Sequence, residues 1–264
     1  MLDETVLFRL GADHGLAEAS IVLDALDVPG FSLRVAPERR HYPASMIKLP
    51  IAMVLAALCE AGAYRLDDPV EVTAAAMTAN DAPSPFVPGY KAELGELGRA
   101  MLSDSDNVAT NLLIDVLGRD TITAACAAFG LRETAVCRKL SGSLPLIDDP
   151  AATGRNAHPA TDAAALLHLL ARQAARGRSW VYDALLAQRW NAKLSAGLRP
   201  GDTFAHKTGD TDDVSHDGGI LVLPDGRRFA FVVYTALPAT PENDARFAAF
   251  ARDVRSLLEG PHAA

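Results

Sequence analysis

No stretch of this chain reaches the roughly 18 uninterrupted apolar residues that a membrane-spanning helix requires, so no membrane association is expected. Basic clusters are equally scarce. Lys and Arg never gather beyond "ERR" or "GRR", and the formal net charge is −8. Nucleic acids and anionic membrane surfaces both attract basic patches, so neither is an expected partner. Three cysteines, Cys59, Cys126 and Cys137, form no Cys-x-x-Cys pair and are odd in number. That pattern points to buried free thiols rather than to a disulfide framework or a metal site. There is no His-x-Glu-x-x-His string and no Cys/His cluster, so no metal is expected. The opening residues, "MLDETVLFRLGADHGL", have no basic head, apolar middle or small-residue cleavage site. As written, the chain reads as cytoplasmic; a periplasmic or secreted protein already trimmed to its mature form reads the same way.

What is present is a soluble, globular composition. Of 264 residues, 49% are hydrophobic and 22% charged, enough for one large core or two interleaved ones. Residues 1–16 have a rough helical period in Leu2, Val6, Leu7 and Leu10. "SIVLDALDVPG" and "FSLRVAPE" read as two strands joined at Pro29-Gly30. From Ser45 on, "SMIKLPIAMVLAALCEAGA" reads as a buried helix, with Pro50 close enough to its start to be tolerated. The proline-rich stretch from about 80 to 92 reads as loop. "VATNLLIDVLG", "ITAACAAFGL" and "TDAAALLHLLARQAARG" follow as helices. "DTFAHKTG", "GGILVLPDG" and "RRFAFVVYTAL" are strand-like, with a hairpin at Pro224-Asp225-Gly226, and "ENDARFAAFARDVRSLLEG" closes the chain as a helix. Strands at both ends and helices between them predict an α/β (α+β) fold: an antiparallel sheet built from both termini, with an all-α region inserted. The expected boundaries are 1–44 plus 188–264 for the α/β part and 45–187 for the helical part.

Three short strings are candidates for chemistry: Ser45-Met46-Ile47-Lys48, Ser105-Asp106-Asn107 and Lys207-Thr208-Gly209. Residues i and i+3 share a helix face, so Lys48 can approach the Ser45 hydroxyl. A serine hydroxyl becomes a nucleophile when a neighbour takes its proton, and a desolvated lysine can do so. The N–H groups of a helix start are unpaired and can stabilise an oxyanion. Read singly, each string also has an ordinary explanation. Ser45 can be a cap with a snorkelling lysine, any of Ser105, Asp106 and Asn107 is a good N-cap, and Lys207 can be an exposed edge-strand lysine.

Read together and in this order, the strings are the signature set of class A β-lactamases and penicillin-binding proteins. The chain resembles that superfamily along nearly its whole length. Ser105 follows Ser45 by 60 positions and Lys207 follows it by 162, separations that resemble a class A β-lactamase more than the longer penicillin-binding proteins. The resemblance implies a five-stranded β-lactamase-like fold and a serine hydrolase working through an acyl-enzyme on a small-molecule β-lactam or related amide or ester. It implies Ser45 as nucleophile, Lys48 as its base, and Ser105 as proton donor to the leaving nitrogen. Asn107 would bind the substrate amide, Lys207 and Thr208 a substrate carboxylate, and Gly209 would admit the substrate backbone. The N–H groups of Ser45 and Asp210 would form the oxyanion hole. Tyr42 and Pro43 resemble the aromatic-proline approach to the nucleophile. No metal or cofactor is implied, and a monomer is expected.

One piece of the pattern is absent. Class A enzymes carry a Glu-x-x-Leu-Asn loop whose glutamate activates the deacylating water, and here Leu140 stands where that glutamate is expected. Arg138 and Arg155-Asn156 resemble the ends of such a loop, and Asp148 and Asp149 are the acids inside it. Acylation is therefore expected and deacylation of classical penicillins is expected to be slow. An esterase, a lactonase, a D-alanyl peptidase and a single-turnover β-lactam-binding protein all remain compatible with these residues. His206 is expected opposite Lys207 on its strand, and His216-Asp217 in a turn facing it.

Overall fold

The computed structural model describes residues 3–28, 30–141, 152–173 and 179–259. Five strands form one antiparallel sheet in the order β2-β1-β7-β6-β5. Strands β1 (Ser20–Ala25) and β2 (Ser32–Val35) come from the start of the chain. Strands β5 (Thr203–Asp210), β6 (Ser215–Val222) and β7 (Arg228–Thr235) come from its end. The two groups join where β1 pairs with β7, with Val22 opposite Val232 and Leu23 opposite Phe231.

Both faces of the sheet are covered, so β7 has no polar side and reads from Phe229 to Tyr234 as an apolar run. Along β7, Phe229, Phe231 and Val233 pack in a cluster with Leu7 of α1 (Glu4–Asp13) and Phe247, Phe250 and Val254 of α8 (Pro241–Leu257). The alternate residues Ala230, Val232 and Tyr234 belong to the second cluster, shared with the central helices. At its centre is α2 (Lys48–Glu60), whose first nine residues, Lys48 to Ala56, are all buried. A helix apolar on every side can only be a core helix. Pro50 is its third residue, where the missing N–H breaks no intrahelical bond. Around α2 pack α3 (Leu94–Ser103), α4 (Asn107–Leu117), α5 (Arg119–Ala128), α6 (Ala160–Gln173) and α7 (Ser179–Leu186).

Four differences separate the fold from the sequence expectation. Helix α3 is hidden by Gly95 and Gly98, which weaken a helical pattern but allow close packing: a Cβ on Gly98 would lie 2.9 Å from the Trp180 ring of α7. Helix α7 itself, "SWVYDALL", is too short to give a clear period. The region expected to be all helical also contains a two-stranded ladder, β3 (Pro69–Glu71) with β4 (Lys91–Glu93). The first helix is shorter than expected, starting after the Asp3 cap, which accepts from the Val6 N–H at 2.8 Å. Among the described residues no helix is long and apolar enough to cross a membrane.

Candidate active site

Ser45 lies in a single 3₁₀ turn, Ala44–Ile47, that runs directly into α2. Ala44 before it has φ 46°, a left-handed conformation that costs energy in a residue with a Cβ. The turn is held from one side by β5. A Cβ on Gly209 would come within 2.9 Å of the Pro43 carbonyl oxygen and 3.1 Å of the Met46 nitrogen. Gly209 is thus also required by the protein's own close contact with the nucleophile turn. Gly209→Ala is expected to push β5 off the turn, lowering stability by about 1–3 kcal/mol and slowing acylation at Ser45. Denaturant unfolding and a single-turnover acylation rate check both effects.

Lys48, the first residue of α2, is fully buried. Its ammonium donates to the Ser105 carbonyl oxygen at 2.5 Å, to Ser105 Oγ at 3.0 Å and to Asn107 Oδ1 at 2.7 Å. The sequence pointed Lys48 at Ser45, but these three contacts go to the neighbouring string instead. Lys207 Nζ, also fully buried, donates to the same Ser105 Oγ at 2.9 Å and to the Thr208 carbonyl oxygen at 2.8 Å. A hydroxyl oxygen has two lone pairs. While both amines are charged, both lone pairs are taken, and the Ser105 proton then points away from the two lysines. Ser105 holds this position with φ 58°, and Asp106 after it caps α4, accepting from the Ala109 N–H at 2.8 Å. Of the three capping candidates, Asp106 is the cap. Asn107 is fixed from the other side, its Nδ2 donating to the Ala79 carbonyl oxygen at 2.8 Å.

Two buried lysines on one hydroxyl cannot both hold a proton cheaply. Burial, and then the Lys207 charge, lower the Lys48 pKa well below the ordinary lysine range. Burial brings Lys207 from 10.5 down to about 7. The unfolded chain therefore binds more protons than the folded one above neutrality, and stability rises with pH there. Calorimetry is expected to show the melting temperature increasing between about pH 7 and about pH 8, below the midpoint of ordinary thiols and phenols. A flat or falling midpoint would contradict the buried placement of the two amines.

The histidines serve the scaffold. His206 lies on the opposite face from Lys207, as expected, with Nδ1 2.7 Å from Asp217 Oδ1 and Nε2 2.9 Å from Asn191 Oδ1. His216 and Asp217 are on β6, not in a turn, because the strand begins at Ser215. Burial holds the His216 pKa down at about 3, so the ring is neutral. Its Nε2 donates to the Tyr42 carbonyl oxygen at 2.8 Å while Nδ1 accepts from the Thr235 N–H at 3.1 Å. This bond, missed in the sequence, anchors the segment leading to the nucleophile.

Ser45 opens onto a cleft with two halves. One, about 530 Å³, is lined by Tyr42, Asn107, Arg138, Leu140 and Arg155 among others. The other, about 330 Å³, is lined by Ser105, Trp190 and Thr208 among others, and Asp210 borders both. Leu140 is 8% exposed, and its backbone is clamped by one side chain. Its N–H donates to Asn111 Oδ1 at 2.8 Å, and Asn111 Nδ2 donates to its carbonyl oxygen at 2.8 Å. Asn156 ties the loop ends, accepting from the Arg138 N–H at 2.8 Å. Asp148 and Asp149 lie outside the described residues. Among the described residues there is no cluster of metal-ligating side chains.

The family model described as the Beta-lactamase enzyme family matches residues 5–258. The chain belongs to that family. It is a β-lactamase-like serine hydrolase, and the solved structures it resembles share its fold. PBP-A is 27% identical with a TM-score of 0.80, covering 95% of this chain and 96% of that one. A Leu-to-Glu variant of PBP-A, an acyl-enzyme complex with penicillin G, is 25% identical with a TM-score of 0.82, covering 98% and 99%. A β-lactamase from Sphaerobacter thermophilus, 23% identical with a TM-score of 0.83 over 98% and 99%, shares the fold. Comparison with the curated proteins gives no match.

Proposed function

We propose that this β-lactamase family member is acylated at Ser45 by β-lactams and releases the acyl group slowly. The observation that carries the reading is the pair of lysines converging on Ser105 beside the Ser45 turn, with a leucine, Leu140, rather than an acid lining the same half-cleft as Ser45. The neutral form of Lys48 takes the Ser45 proton, directly or through Ser105, as Ser45 Oγ bonds to the carbonyl carbon. The oxyanion is received by the N–H groups of Ser45 and Asp210; β5 is an edge strand and its end lies against the nucleophile turn, which supports this pairing. Ser105 donates its outward proton to the leaving nitrogen as the C–N bond breaks, and is reprotonated from Lys48. Asn107 stands in the half of the cleft that receives the acyl portion, and Thr208 in the half that receives the leaving portion. Lys207, wholly buried, acts on a substrate carboxylate as a nearby charge through Thr208 and Ser105.

The test is the intact mass after exposure to penicillin G. One adduct per chain that outlasts many seconds, absent in Ser45→Ala, supports the reading. Rapid turnover without an adduct excludes slow deacylation, and an adduct persisting in Ser45→Ala excludes Ser45.

A further inference from the structure

The proposed oxyanion hole contains an acid. Asp210 lends its backbone N–H to the negative charge that develops at the acyl carbonyl, yet its own side chain is a carboxylate. The direction of that N–H follows from the sheet register. The Thr211 N–H donates to the Val214 carbonyl oxygen at 2.9 Å, and the register continues with Asp210 opposite Ser215 and Gly209 opposite His216. In an antiparallel ladder, hydrogen-bonded pairs alternate with pairs whose backbone groups turn away from the partner strand. Asp210 and Thr208 are of the second kind, so their N–H and C=O groups leave the outer edge of β5. The Thr208 carbonyl oxygen accordingly accepts from Lys207 Nζ there, at 2.8 Å.

The Asp210 carboxylate is tied down separately. Lys193 Nζ donates to its Oδ1 and to the His216 carbonyl oxygen, the latter at 3.1 Å. Ser215 Oγ donates to the same Oδ1 at 3.0 Å. The Lys193 side chain is 4% exposed and that of Asp210 33%, so water screens the pair only in part. The lysine is held by the chain around it. Leu194, next in sequence, donates its N–H to Asp217 Oδ2 at 3.0 Å, and the ammonium lies 5.8 Å from the centre of the Phe247 ring of α8. Lys207 is also near Asp210, but its Nζ donates to Ser105 and Thr208, and burial brings its pKa to about 7. At neutral pH it carries its charge only part of the time.

An uncancelled carboxylate beside an atom that is becoming negative would repel it and raise the acylation barrier. We infer that Lys193 is a positioning residue for acylation: it cancels the Asp210 charge and fixes the end of β5, which lets the Asp210 N–H receive the oxyanion. The inference rests on the reading of Ser45 as nucleophile and of Asp210 as an oxyanion donor. In that step Ser45 Oγ bonds to the acyl carbon, the carbonyl electron pair moves onto oxygen beside Asp210, and the Ser45 proton goes to Lys48.

Single-turnover acylation by penicillin G, followed by intact mass, tests it. Lys193→Met is expected to lower the saturating rate constant by about 10- to 100-fold, with the half-saturating concentration little changed. Lys193→Arg keeps the charge and is expected to recover most of the rate. The deciding comparison is Lys193→Met/Asp210→Asn with Asp210→Asn. These two are expected to agree within about threefold, because no carboxylate is left at 210 to cancel. A lysine that only filled space would cost as much beside asparagine as beside aspartate. That result, or a wild-type rate in Lys193→Met, overturns the inference. Should Lys193→Met fail to fold, the comparison in the Asp210→Asn background decides, since it leaves no charge unpaired. Absence of any adduct on the wild-type protein removes the reading of Ser45, and the inference with it.

Discussion

Leu140→Glu is expected to raise penicillin G turnover by about 10²–10⁴-fold, the usual contribution of a positioned general base. The backbone at this position is held at both its N–H and its carbonyl by Asn111, so exchanging the side chain leaves the placement intact. The leucine lines the half-cleft that also holds Ser45 and is nearly enclosed. A carboxyl group there would be partly desolvated, which moves its pKa upward into the range of an effective base. Leu140→Ala separates the two effects of the change, opening the same space without supplying a base. Steady-state hydrolysis and the lifetime of the adduct by mass spectrometry check the prediction. If Leu140→Glu leaves both unchanged, or if Leu140→Ala matches it, the absent acid is not what limits deacylation.

Lys48→Met is expected to slow acylation by a comparable factor, about 10²–10⁴. The methionine fills much of the buried volume but cannot take a proton. Lys48→Arg is not expected to rescue the rate, since a guanidinium stays charged and is wider than the fully buried ammonium it replaces. The pH dependence gives a second readout. Lys48 is a base only once it has lost its proton, so the wild-type single-turnover rate rises with pH through the lowered Lys48 pKa. That rise is expected to vanish in Lys48→Met. A variant that keeps both rate and profile would move the base elsewhere.

Much of this arrangement could be read from the sequence because the signals were local. The strings around Ser45, Ser105 and Lys207 each sit at a helix start or strand end, where a few neighbouring residues determine the geometry. The alternation along β7 and the all-apolar face of α2 likewise announce their surroundings. Where a residue's role depended on a distant partner, the sequence was mute. Nothing near Lys48 shows that its three acceptors come from Ser105 and Asn107, and nothing near His216 shows that its ring will hold the Tyr42 carbonyl. Gly209 was legible as a place of close approach, but not what approaches. Gly98 weakens the helical signal of α3, and the Trp180 ring it admits lies far along the chain.

The pairing of β1 with β7 has a consequence for how the protein comes into being. A ribosome that has delivered Ser45, Lys48 and Ser105 has not yet made β5, β6 or β7, so β1 has only β2 beside it and nothing presses against the nucleophile turn. Chemical competence therefore arrives late in synthesis, with the strands that complete the sheet. Until then the nascent chain presents an open β1 edge, the kind of surface that chaperones cover and that pairs with other unfinished copies.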